Sequence, residues 1–164
     1  ESIDDILNIH AHQWVEKLRA SLNKKRASAN GKMYDKVSTG VLQSSLVPII
    51  ESSPNYFRVT ITSTKYGKFV DKGISGTKVK YNTPYSYGAK QPPISAIKAF
   101  MANRGIVPNG GNKPDAINSL AYLIAKKIKT RGLKPTHFVA DAIGDDEIQA
   151  LKKDLRQAIK KGLK

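Results

Sequence analysis

Cysteine is absent from this 164-residue chain, which excludes disulfide frameworks, cysteine-based zinc sites and thiol nucleophiles together. Histidine is scarce: His10, His12 and His137 are the whole supply. His10 and His12 stand two apart, so a helix points them about 200° from each other and they cannot share a metal. His137 sits beside an expected helix start, and all three read as structural or solvated side chains. The acidic run Asp145, Asp146 and Glu147 does not make a metal cluster either, because consecutive helical residues face different ways. It reads as favourable charge at the start of a last helix. A phosphate-binding loop, a dinucleotide glycine fingerprint, a nucleophile elbow and a metalloprotease histidine pair are all missing. No enzyme, cofactor or metal is expected. Long hydrophobic runs are lacking as well: stretches such as Leu120 to Ala125 fall far short of the ~20 residues a membrane span needs. The acidic first residues lead into no apolar signal segment, so a soluble, cytoplasmically assembled protein with no membrane partner is expected.

Acidic residues are the other shortage. Thirteen Asp and Glu face twenty-eight Lys and Arg, a formal net charge of +15 with a pI near 10.0. The imbalance is concentrated. Residues 65 to 135 hold fourteen basic groups and only Asp71 and Asp115 against them, whereas both flanks are close to neutral. Such an excess attracts polyanions, whether nucleic acid, an acidic membrane surface or an acidic protein, or else serves solubility alone. Tyr66, Tyr81, Tyr85 and Tyr87 interleave with this basic stretch, a composition compatible with phosphate contact and base stacking. It is equally compatible with packing in a β-rich segment.

Along the chain, Ile3, Ile6, Leu7, His10, Trp14, Leu18 and Leu22 fall at three- and four-residue steps and predict a long N-terminal helix capped by Ser2. Residues 27 to 36 contain Asn30-Gly31 and no periodicity, and read as a mobile loop. A helical turn before Leu46 leads into two β-branched runs, 46–50 and 56–62, separated by Ser-Ser-Pro-Asn: an antiparallel hairpin. In the second run Phe57, Val59 and Ile61 alternate with polar residues, so all three are expected to point inward. Apolar material continues through Phe69 and Val70 to Gly73. Residues 73 to 93, with three glycines and three prolines, read as a long irregular loop that leaves open a further strand or hairpin. Helices follow from Pro93 to Asn103, from Asp115 to Arg131 and from Thr136, and Gly144 breaks or kinks the last of these before an amphipathic tail. The order helix, strands, helices predicts an α+β fold: a small antiparallel sheet packed by several α-helices, with a long N-terminal helix and extended loops or arms. Trp14, Leu42, Val59, Ile61, Phe69, Ile97, Phe100, Leu120, Ile124, Ile128 and Phe138 form the expected core, and Gly73 and Gly105 are expected at positive φ.

Four segments carry a resemblance. They are Thr39-Gly40-x-Leu42-x-x-Ser45-Leu46, Tyr66-x-x-Phe69-Val70-Asp71-x-Gly73, Lys90-Gln91-Pro92-Pro93-Ile94 followed by Asn103-Arg104-Gly105-Ile106, and Leu120-Ala121-Tyr122-x-Ile124-Ala125-x-Lys127-Ile128 with Gly132-x-x-Pro135-x-x-Phe138. In order and spacing, over residues 37 to 143, this resembles the small tail-completion, or head–tail joining, proteins of the tailed-bacteriophage neck. Phe100 stands where such proteins carry Trp, and His137 where they often carry Pro. The stretch after Gly73 is longer and more basic, and the tail beyond Gly144 has no counterpart.

The resemblance implies a tail-completion-like α+β domain over 1–144, with a mobile loop 27–36 and a long basic loop 73–93, followed by a C-terminal amphipathic helix over 145–164. It implies a virion structural protein that catalyses nothing. Its subunits would form a homo-oligomeric ring of six or twelve copies between the phage connector and tail proteins, around DNA that passes without specific recognition. Lys78, Lys80, Tyr81, Tyr85, Tyr87 and Lys90 are the expected subunit or partner contacts, the tyrosines as amphipathic anchors. The competing reading is a basic nucleic-acid-binding protein of phage or bacterial origin.

Overall fold

The computed structural model describes residues 2–27, 31–34 and 40–162. Its first element is the long helix that the periodicity demands, α1 (Ile3–Asn23). Ser2 Oγ accepts the Asp5 N–H at 3.1 Å and Asp5 Oδ2 accepts the Ser2 N–H at 2.9 Å, a reciprocal cap that satisfies two otherwise orphaned donors. Ile6, Leu7, His10, Ala11, Val15, Leu18 and Leu22 are buried along one stripe, and Trp14 is half-buried at its edge.

Two-residue strands β1 (Arg26–Ala27) and β2 (Met33–Tyr34) pair antiparallel, so the described part of the segment read as a mobile loop is tied together. Ser28 to Asn30, Asp35 and Lys36 lie outside the described residues. A short α2 (Val41–Ser44) starts at Gly40, whose φ of 75° suits glycine, and buries Leu42. An antiparallel hairpin follows as expected, but its first strand is longer than the β-branched run: β3 (Val47–Ser53) takes in Ser52 and Ser53 and pairs with β4 (Tyr56–Thr62) in unbroken register from Val47–Thr62 to Ser53–Tyr56, leaving only Pro54-Asn55 as the turn. Val59 and Ile61 turn inward, but Phe57 is exposed, because the hairpin tip projects past the helix that covers its base.

The apolar material before Gly73 is helical, α3 (Gly67–Lys72), and buries Val70. Then come β5 (Ile74–Ser75), α4 (Ile94–Arg104), α5 (Pro114–Arg131), β6 (Gly132–Leu133), α6 (Phe138–Ala142) and α7 (Asp145–Gly162). The described residues thus hold seven helices and three two-stranded antiparallel pairings, an α+β fold. Gly73 and Gly105 have φ of 72° and 64°, as expected of the two turn glycines.

Two separate apolar clusters replace the single expected core. Val15, Leu18, Leu22, Leu42, Leu46, Val70, Phe138 and Ala142 form the first, with Ile61 and Ile143 against it. Ile97, Met101, Ala121 and Ala125 form the second, between α4 and α5, with Leu120, Ile124 and Ile128 half-buried beside them. Trp14, Val59 and Phe69 are half-buried, and Phe100 is exposed. The reason at Phe100 is geometric. Helix α4 packs chiefly on α5, through Ile94, Ile97 and Met101, and Phe100 falls about 90° off the centre of that stripe. The Arg104 guanidinium, one turn on, covers its ring at 5.9 Å instead.

Helix α7 has no fully buried residue and lies along α1, joined to it by His10–Asp154 and Lys17–Glu147 pairs, each at 2.8 Å. Asp145, Asp146 and Glu147 occupy its first turn, where the sequence placed them. The Glu147 carboxyl is held down to about 2 from 4.5, first by the Lys17 hydrogen bond, then by its own N–H and that of Gly144. A depressed folded-state pKa means that this stabilisation is complete above the unfolded value and is lost as the pH falls through the folded one. The thermal midpoint should therefore fall between pH 4.5 and about 2. Lys17→Met should flatten part of that fall. An unaltered pH profile in Lys17→Met would show that the pair does not hold α7 to α1.

Candidate functional surface

The basic stretch from residue 73 to 93 is folded back on its own chain. It begins where β5 pairs with β6, Ile74 opposite Leu133 and Ser75 opposite Gly132. The next peptides close the end of α5: the Thr77 N–H donates to the Lys129 carbonyl at 2.9 Å, and the Lys78 and Val79 N–H groups donate to Thr130 at 2.9 and 3.3 Å. Those carbonyls are the orphan acceptors every helix leaves at its C-terminus, so the loop acts as the cap. Lys129 Nζ reaches the Ala89 carbonyl at 2.8 Å and ties down the far end of the segment.

Ser75 is the hub. Its side chain is buried and its Oγ donates to the Tyr81 carbonyl at 3.1 Å while accepting the Tyr81 N–H at 2.9 Å. Its own N–H donates to the Tyr85 carbonyl and its carbonyl accepts the Tyr87 N–H, at 2.9 and 2.8 Å, which makes a parallel bridge to Ser86. One small residue thereby holds three points of the loop. Nothing in its sequence neighbourhood marks it out, since a lone Ser between Ile74 and Gly76 has no periodicity to read.

The six expected contact residues are placed as follows. Tyr81, Tyr85 and Tyr87 are half-buried against their own chain. Tyr85 meets Phe69 edge to face at 4.8 Å, with Lys68 Nζ within 5.3 Å of both rings. Burial pushes the Tyr87 phenol above its ordinary range, and neighbouring Tyr66 adds to the shift. Lys80 is exposed but bonds through Nζ to the Gly76 carbonyl at 2.9 Å. Lys78 and Lys90 have exposed side chains. The segment therefore presents separated ammonium groups over a stitched base, with the aromatic rings half-sunk between them.

Elsewhere, His10 is bonded to Asp154 and lies edge-on to Trp14 at 6.4 Å, while His12 and His137 are exposed. Among the described residues no group of three acidic or histidine side chains is placed to hold a metal ion, and no helix is long and apolar enough to cross a membrane. Compared with family models, with curated proteins and with solved structures, the chain matches none of them.

Proposed function

We propose that this chain is a structural ring subunit of a tailed-phage neck, a tail-completion or head–tail joining protein rather than an enzyme. One observation carries the reading. The four segments that resemble that family supply the joints of this fold: Gly40 opens α2 and Leu42 enters the first core, and Val70 and Gly73 bury and end α3. Gly105 ends α4, Ala121 and Ala125 lie fully buried against it, and Phe138 closes the first core. A resemblance made of surface residues alone would carry little; here Leu42, Val70, Ala121, Ala125 and Phe138 among the matching positions are buried.

The charge distribution fits the same reading. A channel that must release DNA quickly gains nothing from lysines that hold phosphate, since each neutralised phosphate adds affinity by counterion release. The exposed Lys78 and Lys90 are therefore assigned to acidic faces of adjoining neck proteins. Electron micrographs of the purified protein, or of virion necks, should show rings of this subunit. A monomer that binds DNA with a steep salt slope would favour the nucleic-acid-binding reading instead. Replacing Lys78 and Lys90 by Glu should leave stability within about 0.5 kcal/mol, as for most surface changes. In the virion the same change should yield filled heads without tails. Virions that assemble normally but eject DNA abnormally would place these lysines at the channel.

A further inference from the structure

Among the described residues the β3–β4 hairpin has two unpaired edges. Its two-residue turn makes Ser53–Tyr56 a hydrogen-bonded pair, and unbroken register makes Glu51–Arg58 and Ile49–Thr60 the next ones. The alternate residues point their backbone groups outward: Pro48, Ile50 and Ser52 on β3, and Phe57, Val59 and Ile61 on β4. Among the described residues no other strand pairs with either edge. Two strands alone are marginal in water, and an open β-branched edge invites pairing.

The side chains on this hairpin specify which strand completes it. Glu51 and Arg58 face each other across the pair, with Arg58 Nη1 3.1 Å from Glu51 Oε2. Now let the β4 edge of one copy meet the β3 edge of the next, antiparallel, in the register the hairpin itself uses. Val59 then exchanges hydrogen bonds with Ile50 of the second copy, and Phe57 with its Ser52. Arg58 comes to lie between two glutamates, its own Glu51 and that of the second copy. The charges alternate along the extended sheet with no like pair adjacent, each opposite-charge pair being of the kind that favours cross-strand contact. Exposed Phe57 gains a neighbouring strand on its free side. Pro48 has no N–H to give, so pairing stops there and is confined to the half of the hairpin near its tip. A two-fold β4–β4 pairing centred on Val59 would instead set Arg58 against Thr60 and leave the charges unmatched.

We infer that the hairpins of successive subunits join edge to edge, β4 of one copy to β3 of the next, into a continuous antiparallel sheet. Because the two edges differ, the contact is head-to-tail and closes a ring when the rotation permits. The inference rests on the ring reading above and adds to it the contact that builds the ring.

The absence of native cysteine makes the test direct. Ile49→Cys and Thr60→Cys are made as separate single variants of the full chain, mixed, and oxidised. With one cysteine per chain, no intrachain disulfide can form. In the joined sheet, position 60 of one copy faces position 49 of the next as a non-hydrogen-bonded pair, whose close Cβ atoms suit a disulfide. The expected result is a mixed 49–60 dimer several-fold in excess of either homodimer, with the same bond in rings isolated by size. Rings that form without this bond would overturn the edge contact and leave the ring reading standing. A preferred bond between Arg58→Cys and Thr60→Cys chains would replace it with the two-fold pairing. A chain that stays monomeric and uncrosslinked would overturn both.

Discussion

Phe138→Ala is expected to destabilise the protein by about 3–5 kcal/mol, and Phe100→Ala by less than about 1 kcal/mol. Both residues are phenylalanines in segments of regular apolar spacing, and sequence reasoning assigns both to the core. The structure separates them: Phe138 is 2% exposed and Phe100 is 39% exposed. Phe138 shares the first cluster with Leu18, Leu22, Leu42, Leu46 and Val70, which come from three separate stretches of the chain and cannot all collapse into the space it would leave. Its backbone is pinned as well, because the His137 N–H donates to the Asp71 carbonyl and the Val139 N–H to the Asp71 carboxylate, at 3.0 and 3.1 Å. A site held on both sides relaxes poorly, and poor relaxation is what raises the cost of a cavity. At Phe100 the loss is limited to part of a ring already in water and to its contact with Arg104. Denaturant unfolding of the two variants checks the difference. Equal losses at the two positions would mean that the first cluster is not the one that sets stability.

What could be read from the sequence is what repeats locally. The α1 stripe, the existence of the hairpin, and the turn glycines at 73 and 105 each follow from a period or from the backbone needs of one residue type. What could not be read depends on partners distant in the chain. Phe100 satisfies the helical spacing, yet α4 packs chiefly against α5, and that is a property of the tertiary arrangement. The pairing of β5 with β6 joins residues nearly sixty positions apart through two residues on each side, too few for any alternation to show. Ser75 is hidden for the same reason. Composition alone makes residues 73 to 93 an irregular loop, and beyond β5 they are largely so; their order comes from capping α5 and from the four hydrogen bonds of Ser75. The lysines expected to meet a partner could be named as charged, but which are exposed and which are committed to a backbone carbonyl, as Lys80 is, emerges only from the fold.

Gly132→Ala should be the most damaging glycine-to-alanine change among the described residues. Gly132 combines two demands, which Gly73 shares with a wider approach to the opposite backbone. Its φ of 73° with ψ of −170° lies in a region essentially reserved for glycine, where another residue costs of order 1–3 kcal/mol. A Cβ there would also fall on the Ile74 carbonyl oxygen, with the Gly76 nitrogen and the Ser75 carbonyl carbon close behind it. All three are backbone atoms of the paired segment and cannot swing aside as a side chain would. The obstruction is mutual, since a Cβ on Gly76 would meet the Thr130 carbonyl and the Gly132 nitrogen. This crossing joins β5 to β6 and seats the cap on α5, so strain introduced here passes directly to the bonds that Thr77, Lys78 and Val79 make to Lys129 and Thr130. Gly132→Ala is therefore expected either to fail to fold or to lose more than about 3 kcal/mol, the strain and the overlap acting together. Where the variant does fold, amide exchange at those three residues should accelerate well beyond that at α1. Gly105→Ala is the control: it too has positive φ, at 64°, but a Cβ there would meet nothing within 4 Å, so only the left-handed conformation is penalised, by about 1 kcal/mol. If the two substitutions prove equally mild, the strands do not approach as closely at Gly132 as the fold requires, and the loop is held by its serine hub rather than by the crossing.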